Sequence, residues 1–421
     1  MLPERPDTTA ASRASHCRFC GSPLSHLVVD LGMSPPCERY LRDDQLDEME
    51  PFYPLRVHVC GRCLLVQLQE YVSPEEIFTE YAYFSSYSSS WVEHARRYCQ
   101  TMVERLGLGP GSLVVELASN DGYLLAHLVR RGVPVLGIEP ARNVAEAATA
   151  QGVPTLTEFF GVELARRLVA DGRRADLLVA NNVLAQVPDL NDFVAGMRLL
   201  LAPGGVATVE FPHLARLFEG NQFDTIYHEH FSYFSLLVAQ RVFGRHGLVV
   251  FDVEELPTHG GSLRLYLRQR EDTSKPVRPS VPTLLDREAS AGFGRLEHYL
   301  SFGPRVEATK RKLLTFLIQA RERGRRTAGY GAPGKGNTLL NYCGIRTDLL
   351  DYTVDRNPYK HGRYLPGTHV PIRHPSTIAR TRPDYVLILP WNLREEIMGQ
   401  LHQVRSWGGR FVVPIPEVAV L

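Results

Sequence analysis

The chain has 421 residues, 44% hydrophobic and 22% charged, with a formal net charge of +1 at pH 7. At roughly 100–200 residues per domain it has room for several buried cores, and its composition is that of an ordinary globular protein. The balanced charge excludes a bulk field for nucleic acid or an anionic membrane, and no apolar run reaches the ~18 residues of a membrane span.

The first fifteen residues, MLPERPDTTAASRAS, lack the apolar stretch of a secretory signal. They are expected to be a disordered leader on a cytoplasmic protein, whose seven cysteines are too few for a disulfide scaffold. Residues 16–72 carry Cys17-x-x-Cys20 and Cys60-x-x-Cys63, with 39 residues between the pairs. Two such knuckles supply four thiolates, the donor set of a closed tetrahedral Zn²⁺ site. A redox dithiol is the competing reading, but it usually comes as one pair beside a βαβ unit. With Cys17, Cys20, Cys60 and Cys63 filling every position, the metal is expected to be structural. Cys37, Cys99 and Cys343 are single and read as packed thiols.

Residues 73–270 open on an aromatic, serine-rich loop and a helix over Trp91–Leu106. Short apolar strands follow at Leu113–Val115, Val135–Ile138, Asp176–Ala180 and Val206–Val209, with helical stretches between them. That alternation predicts a parallel α/β sheet. Val249–Val253 and Ser262–Leu267 lie so close in sequence that an antiparallel hairpin at the sheet edge is expected. The first strand runs into Glu116-Leu117-Ala118-Ser119-Asn120-Asp121-Gly122. A phosphate-binding turn wants glycines and no acids. Glu116 and Asp121 suit a cationic amino-acid ligand instead, such as S-adenosylmethionine (SAM). Glu139, 23 residues after Glu116, ends the second strand before Pro140, where a carboxylate can accept ribose hydroxyls. Asn181 and Asn182 end the third strand at the edge where open sheets bind ligands. Read blandly, the two glutamates only cap strands; with the asparagine pair and the hairpin they favour a SAM methyltransferase.

Tyr227-His228-Glu229-His230 packs titratable side chains among aromatics. Imidazole takes and returns a proton near neutrality. Two histidines without an obvious third ligand make a second metal site the weaker reading. His259-Gly260-Gly261 at the hairpin turn is a further candidate on the same edge. Residues 271–325 read as a helical connector, and residues 326–421 as a second Rossmann-like α/β domain. There Gly329-Tyr330-Gly331-Ala332-Pro333-Gly334-Lys335-Gly336-Asn337 joins a strand to a helix. Helix-start amides and Lys335 are candidates to hold phosphate, against the bland reading of a plain turn with a solvated lysine.

Taken together, the knuckles, Glu116–Leu125, Tyr227–His230, His259-Gly260-Gly261 and Gly329–Gly344 resemble the ordered motifs of sugar C-methyltransferases from antibiotic pathways, which act at C-3 of nucleotide-linked 4-keto-deoxysugars. The resemblance runs from about Cys17 onward. It implies three parts: an amino-terminal zinc-binding domain, a Rossmann-like SAM domain, and a carboxyl-terminal Rossmann-like domain for the nucleotide-sugar. It also implies His230 as base, with Glu229, Tyr227 and Tyr81 in support. It places His228, His259, Gly260, Gly331, Lys335 and Asn337 near the substrate. Where such proteins often have histidine after the third strand, this chain has Gln186, which cannot act as acid or base.

The chemistry implied is removal of a C–H proton beside the 4-keto group, then methylation of the enolate, by a monomer or homodimer with no nucleic-acid or membrane partner. Two other classes stay open. An O-methyltransferase needs no acidic C–H, and a non-catalytic zinc-ribbon module needs no SAM.

Overall fold

The computed structural model describes residues 15–74, 76, 84–87 and 89–421. Tyr81, an expected active-site residue, lies outside the described residues. An antiparallel sheet forms first, from β1 (His26–Ser34), β2 (Tyr53–Val59) and β3 (Val66–Leu68). Leu55, Val57 and Val59 alternate along β2 and bury one face of it, the period-two pattern of a half-covered strand.

Helix α1 (Ser89–Leu106) opens the second unit and buries Tyr98, Cys99 and Met102. The chain then alternates β4 (Val114–Leu117), α2 (Leu125–Val129), β5 (Val135–Ile138), α3 (Arg142–Ala150) and β6 (Thr155–Leu156). It continues through α4 (Val162–Ala170), β7 (Ala175–Asn181), α5 (Leu190–Leu200), β8 (Leu201–Pro212) and α6 (Leu214–Glu219). Next come β9 (Ser232–Tyr233), α7 (Leu236–Arg245), β10 (Leu248–Leu256) and β11 (Ser262–Gln269). Seven of these strands make one sheet in the order β10-β11-β8-β7-β4-β5-β6. β4 to β8 pair in parallel, and β11 is antiparallel to both of its neighbours. Helices cover both faces, so β4 and β5 are buried at every position and read as continuous apolar runs. β8 starts at Leu201, earlier than Val206, because Leu201 pairs with Ala175 across a register shift.

β9 does not join that sheet. It pairs antiparallel with β3, Val66 opposite Tyr233 and Gln67 opposite Ser232, and completes the amino-terminal sheet.

Helices α8 (Ser280–Ala291), α9 (Leu296–Leu300) and α10 (Phe302–Glu322) lead to the last unit. It contains β12 (Thr327–Tyr330), α11 (Gly334–Cys343), β13 (Thr353–Val354), β14 (Ile372–Arg373), β15 (Tyr385–Ile388), β16 (Arg410–Val413) and β17 (Ala419–Val420). Their order is β14-β13-β12-β15-β16-β17, parallel except for β17. The architecture is therefore α/β: a small cysteine-bearing sheet followed by two Rossmann-like sheets. In each large sheet the strand order reverses once, between β4 and β7 and between β12 and β15. A crevice opens outside the carboxyl ends of strands at such a point.

Candidate active site

A cavity of about 540 Å³ lies where the units meet, a size that suits small-molecule sites. One half is built by the β4/β7 switch point. Three residues there hold left-handed backbone without being glycine: Ala118 (φ 55°), Asn120 (φ 49°) and Asn182 (φ 55°). Such conformations cost free energy and persist where the surroundings over-determine them. Ala118, Asn120, Glu139, Pro140, Asn181 and Asn182 all line the cavity. The Glu139 carboxylate accepts the Asn120 and Ala141 amides, each at 2.9 Å. A carboxylate has about four acceptor positions, so it keeps capacity for two ribose hydroxyls. Asn181 Oδ1 and both polar atoms of Asn182 are buried without a protein partner. A buried polar atom without a partner is costly, and a ligand with an ammonium group and hydroxyls would satisfy these. The residues present fit SAM.

Glu116 and Asp121 stay outside the lining, a correction to the expectation that they touch the cofactor. Glu116 is fully buried inside β4, and burial, then Glu139 and Asp121, push its carboxyl well above the usual range. Asp121 accepts the Ser86 amide at 3.2 Å and so holds the entry loop. Gly122 also faces away, against Val153 and Ala148.

The other half carries the titratable cluster. Tyr227, Glu229 and His230 line the cavity with His259, Pro333, Gly334 and Lys335. His230 Nδ1 lies 3.1 Å from Thr225 O. A carbonyl only accepts, so Nδ1 carries the proton and Nε2 is left as the ring's acceptor. Desolvation, then the charges of His259 and Lys335, lower the His230 pKa to about 4 despite the Thr225 contact. The imidazole is neutral at pH 7. Glu229 moves the opposite way, to about 8, through burial and the nearby Glu38 carboxylate. Its Oε1 lies 3.8 Å from the Cys37 thiol, whose own pKa burial raises well above normal.

Four substrate-side expectations are corrected. His228 points away from the cavity into the amino-terminal sheet, edge-on to Tyr53 and 3.3 Å from Pro54 O. Asn337 donates to Cys37 O at 2.6 Å and so fastens α11 to the amino-terminal unit. Gly260 has φ 90°, and a Cβ there would meet the Trp391 ring at 2.7 Å. Gly331 likewise has φ 90°, with Pro390 2.5 Å from a Cβ. Both are glycine because backbone and neighbour come too close for anything larger.

Sequence reasoning missed Glu38, Trp91 and Lys360 on the cavity wall. Lys360 lies in the loop after β13, at the carboxyl edge of a parallel sheet, and that position was the available signal. Glu38 had none, since a loop between knuckles gives no hint of reaching a distant crevice.

Away from the cavity, the Sγ atoms of Cys17, Cys20, Cys60 and Cys63 all lie within 4.8 Å of one another. Cys17–Cys63 and Cys20–Cys60 are each 3.5 Å apart. Zn–S bonds of about 2.3 Å in a tetrahedron put sulfurs about 3.8 Å apart, so the cluster fits zinc. Gln67 Nε2 donates to Cys17 Sγ at 3.2 Å, the outer contact a thiolate ligand needs.

A parallel sheet with an antiparallel edge hairpin, a carboxylate closing its second strand and open polar atoms at its switch point define a SAM-dependent methyltransferase. Three domain families match in series: "Putative zinc binding domain" over residues 17–78, "Methyltransferase domain" over 91–253 and "C-methyltransferase C-terminal domain" over 257–416. C-methyltransferase NovU from Streptomyces niveus is 38% identical over 405 residues, 96% of each chain. The ubiquinone biosynthesis O-methyltransferase of Methylobacterium sp. (strain 4-46) is 33% identical over 107 residues, 24% of this chain and 42% of that one. The chain belongs to the SAM-dependent C-methyltransferase family.

Two outcomes follow from this geometry. Elemental analysis of natively purified protein should find one zinc per chain, and Cys60→Ser should lose it and lower the unfolding temperature; metal-free native protein would contradict the site. Glu139→Gln keeps a polar side chain but loses a charge-assisted acceptor worth about 1.5–3 kcal/mol, so calorimetry should show SAM binding weakened about tenfold or more with the unfolding temperature held.

Proposed function

We propose that this C-methyltransferase methylates C-3 of a nucleotide-linked 4-keto-deoxysugar through an enolate, in the assembly of an antibiotic deoxysugar, with zinc held structurally by the four cysteines. The observation that carries the reading is His230: its tautomer is set by Thr225 O, it is neutral, and it sits on the wall of the cavity that also holds Glu139 and the asparagine pair. Methylation at carbon needs a carbanion equivalent, and a neighbouring ketone acidifies the C–H. His230 Nε2 takes that proton, the C–H pair becomes the C=C bond, and the carbonyl π pair moves to oxygen. The oxygen pair then re-forms the C=O bond as the C=C pair forms the new C–C bond to the methyl group. SAM supplies the electrophilic methyl on a sulfonium. Tyr227 donates to the sugar's oxygen. Glu229, a neutral acid at pH 7, donates to the sugar as well. Positioned general-base help is worth roughly 10²–10⁴-fold, the remainder coming from alignment in the closed cavity.

His230→Asn keeps size and polarity but removes the basic nitrogen. It should bind SAM normally, lose turnover and lose solvent exchange of the acidic C–H in a panel of nucleotide 4-keto-sugars. Exchange at the wild-type rate would move the base to another residue, His259 first. Exchange also separates this reading from O-methylation, which needs no C–H cleavage.

The pH profile carries a second test. His230 takes up a proton only as pH falls through about 4, so the acid limb lies well below the usual histidine value. Glu229 keeps its proton until pH rises through about 8, with Cys37, Glu38 and Lys360 the groups around it. kcat/KM should therefore hold across neutrality and fall above about pH 8. Glu229→Gln, which keeps a donor that cannot ionise, should abolish the alkaline limb. A limb unmoved by that change would remove Glu229 from the reaction.

A further inference from the structure

The carboxyl end of β12 runs into Gly331–Lys335 and that of β15 into Leu389-Pro390-Trp391-Asn392, so the two segments flank the switch point of the last sheet. Lys335, in the first turn of α11, is half-buried on the cavity wall. Its Nζ lies 4.8 Å over the Trp391 ring and donates to Asn392 Oδ1 at 2.9 Å. Trp391 is itself fixed: Nε1 donates to the buried Asp224 carboxylate at 2.7 Å, and the ring backs Gly260. Thr338, further along α11, donates to Ile226 O at 2.9 Å. Asp224 and Ile226 lead into His230, and Gly260 follows His259. Three contacts, one from α11 and two from Trp391, thus dock this switch point against the two strips of chain that present the cavity's histidines.

An ammonium has three N–H donors, and Asn392 takes one from Lys335. The second cation on the cavity wall, Lys360, is already committed. Its Nζ donates to Tyr40 Oη at 2.8 Å and Ala332 O at 2.9 Å, and lies 3.6 Å from Glu38. Among the described residues lining the cavity, Lys335 is the cation with donors left for a ligand. The wall also carries the carboxylates of Glu38, Glu139, Glu158, Asp189 and Asp192. An enolate oxygen formed there needs one positive partner.

We infer that Lys335 is a catalytic residue of the enolisation step, donating a charge-assisted hydrogen bond to the sugar's C-4 oxygen as that oxygen becomes anionic. This rests on the enolate reading above and replaces the phosphate role that the glycine-rich pattern suggested. In the step the proton leaves carbon for His230 Nε2, the C–H pair becomes C=C, and the carbonyl π pair settles on the oxygen facing Lys335. The imidazole gains a positive charge as the oxygen gains a negative one, so the total charge of lysine, imidazole and substrate does not change. A fixed ammonium is therefore compatible with a base that becomes cationic. Before the step it helps to keep that base neutral: its charge lowers both His230 and His259, after the larger effect of desolvation. Preorganised charge in a water-poor site acts on the transition state without reorganisation.

The test compares wild type, Lys335→Met and Lys335→Arg. SAM and thymidine diphosphate binding are measured by calorimetry. Deuterium uptake into thymidine diphosphate 4-keto-6-deoxyglucose and the other 4-keto-sugars of the panel is followed by NMR with S-adenosylhomocysteine present. Lys335→Met should bind SAM and thymidine diphosphate like wild type, which also shows that it folds. Its exchange at saturating sugar should fall about 10²-fold or more, and Lys335→Arg should recover part of the loss. Weakened thymidine diphosphate binding with wild-type exchange at saturation would overturn the inference in favour of a phosphate ligand. Equal exchange by wild type and Lys335→Met would overturn the lysine's role alone. A wild type that exchanges no proton from any of these sugars would overturn the enolate reading and this role together.

Discussion

The pairing of β3 with β9 is the constraint on which the site depends. β9 begins two residues after His230, yet it is a strand of the cysteine-bearing sheet. Leu68 N donates to Phe231 O at 3.0 Å, so the ladder reaches almost to the histidine itself. Gln67 joins the two chemistries. Its backbone pairs with Ser232, its Nε2 contacts Cys17 Sγ, and its Oε1 accepts the Arg18 amide at 2.9 Å. Gln67 thus ties the cysteine cluster to the segment that carries His230.

The second organising feature is symmetry of construction. Both large sheets reverse strand order once, and the two crevices face the same cavity. The first contributes Asn120, Glu139, Asn181 and Asn182, and the second Pro333, Gly334 and Lys335. Neither sheet alone encloses a ligand. The amino-terminal unit closes the gap, because the loop carrying Cys37 and Glu38 packs on the start of α11. A Cβ on Gly334 would meet Cys37 Sγ at 2.8 Å, and Asn337 grips Cys37 O. Domain order along the chain therefore serves one cavity, with a half from each Rossmann-like sheet and a wall from the cysteine-bearing sheet.

Much of this was legible in the sequence, where the physics is local. Knuckle spacing identified the four cysteines, strand-loop-helix periodicity found the sheets, and a carboxylate at the end of a second strand marked Glu139. The misses are long-range. Glu116 and Asp121 looked like ligands from their sign and loop position, but one is buried in the strand and the other holds the entry loop. Histidines 228 and 230 are chemically equal in sequence. A turn closed by His230 N on Tyr227 O puts one against Tyr53 and the other on the cavity wall. Gly260 and Gly331 read as ligand-approach glycines, while the close approach they permit is to Trp391 and Pro390. No local pattern encodes such packing, because the partner arrives from another unit.

Gln186 puts a neutral side chain on one side of the cavity. It lines the cavity with Asn182 and Val183, on the side built by the β4/β7 switch point. A neutral amide neither takes nor releases a proton at any accessible pH. Asp189 and Asp192, on the same lining, are cap residues: Asp189 caps α5 and Asp192 accepts the Val162 amide. The opposite wall carries Tyr227, Glu229, His230 and His259. There burial drives an acid and a base in opposite directions, the carboxyl towards its protonated form and the imidazole towards its neutral one. The pair stays uncharged at pH 7, which spares the cavity two desolvated charges before substrate arrives. Lys335 lines the same cavity, so its charge is set beside a pair that carries none.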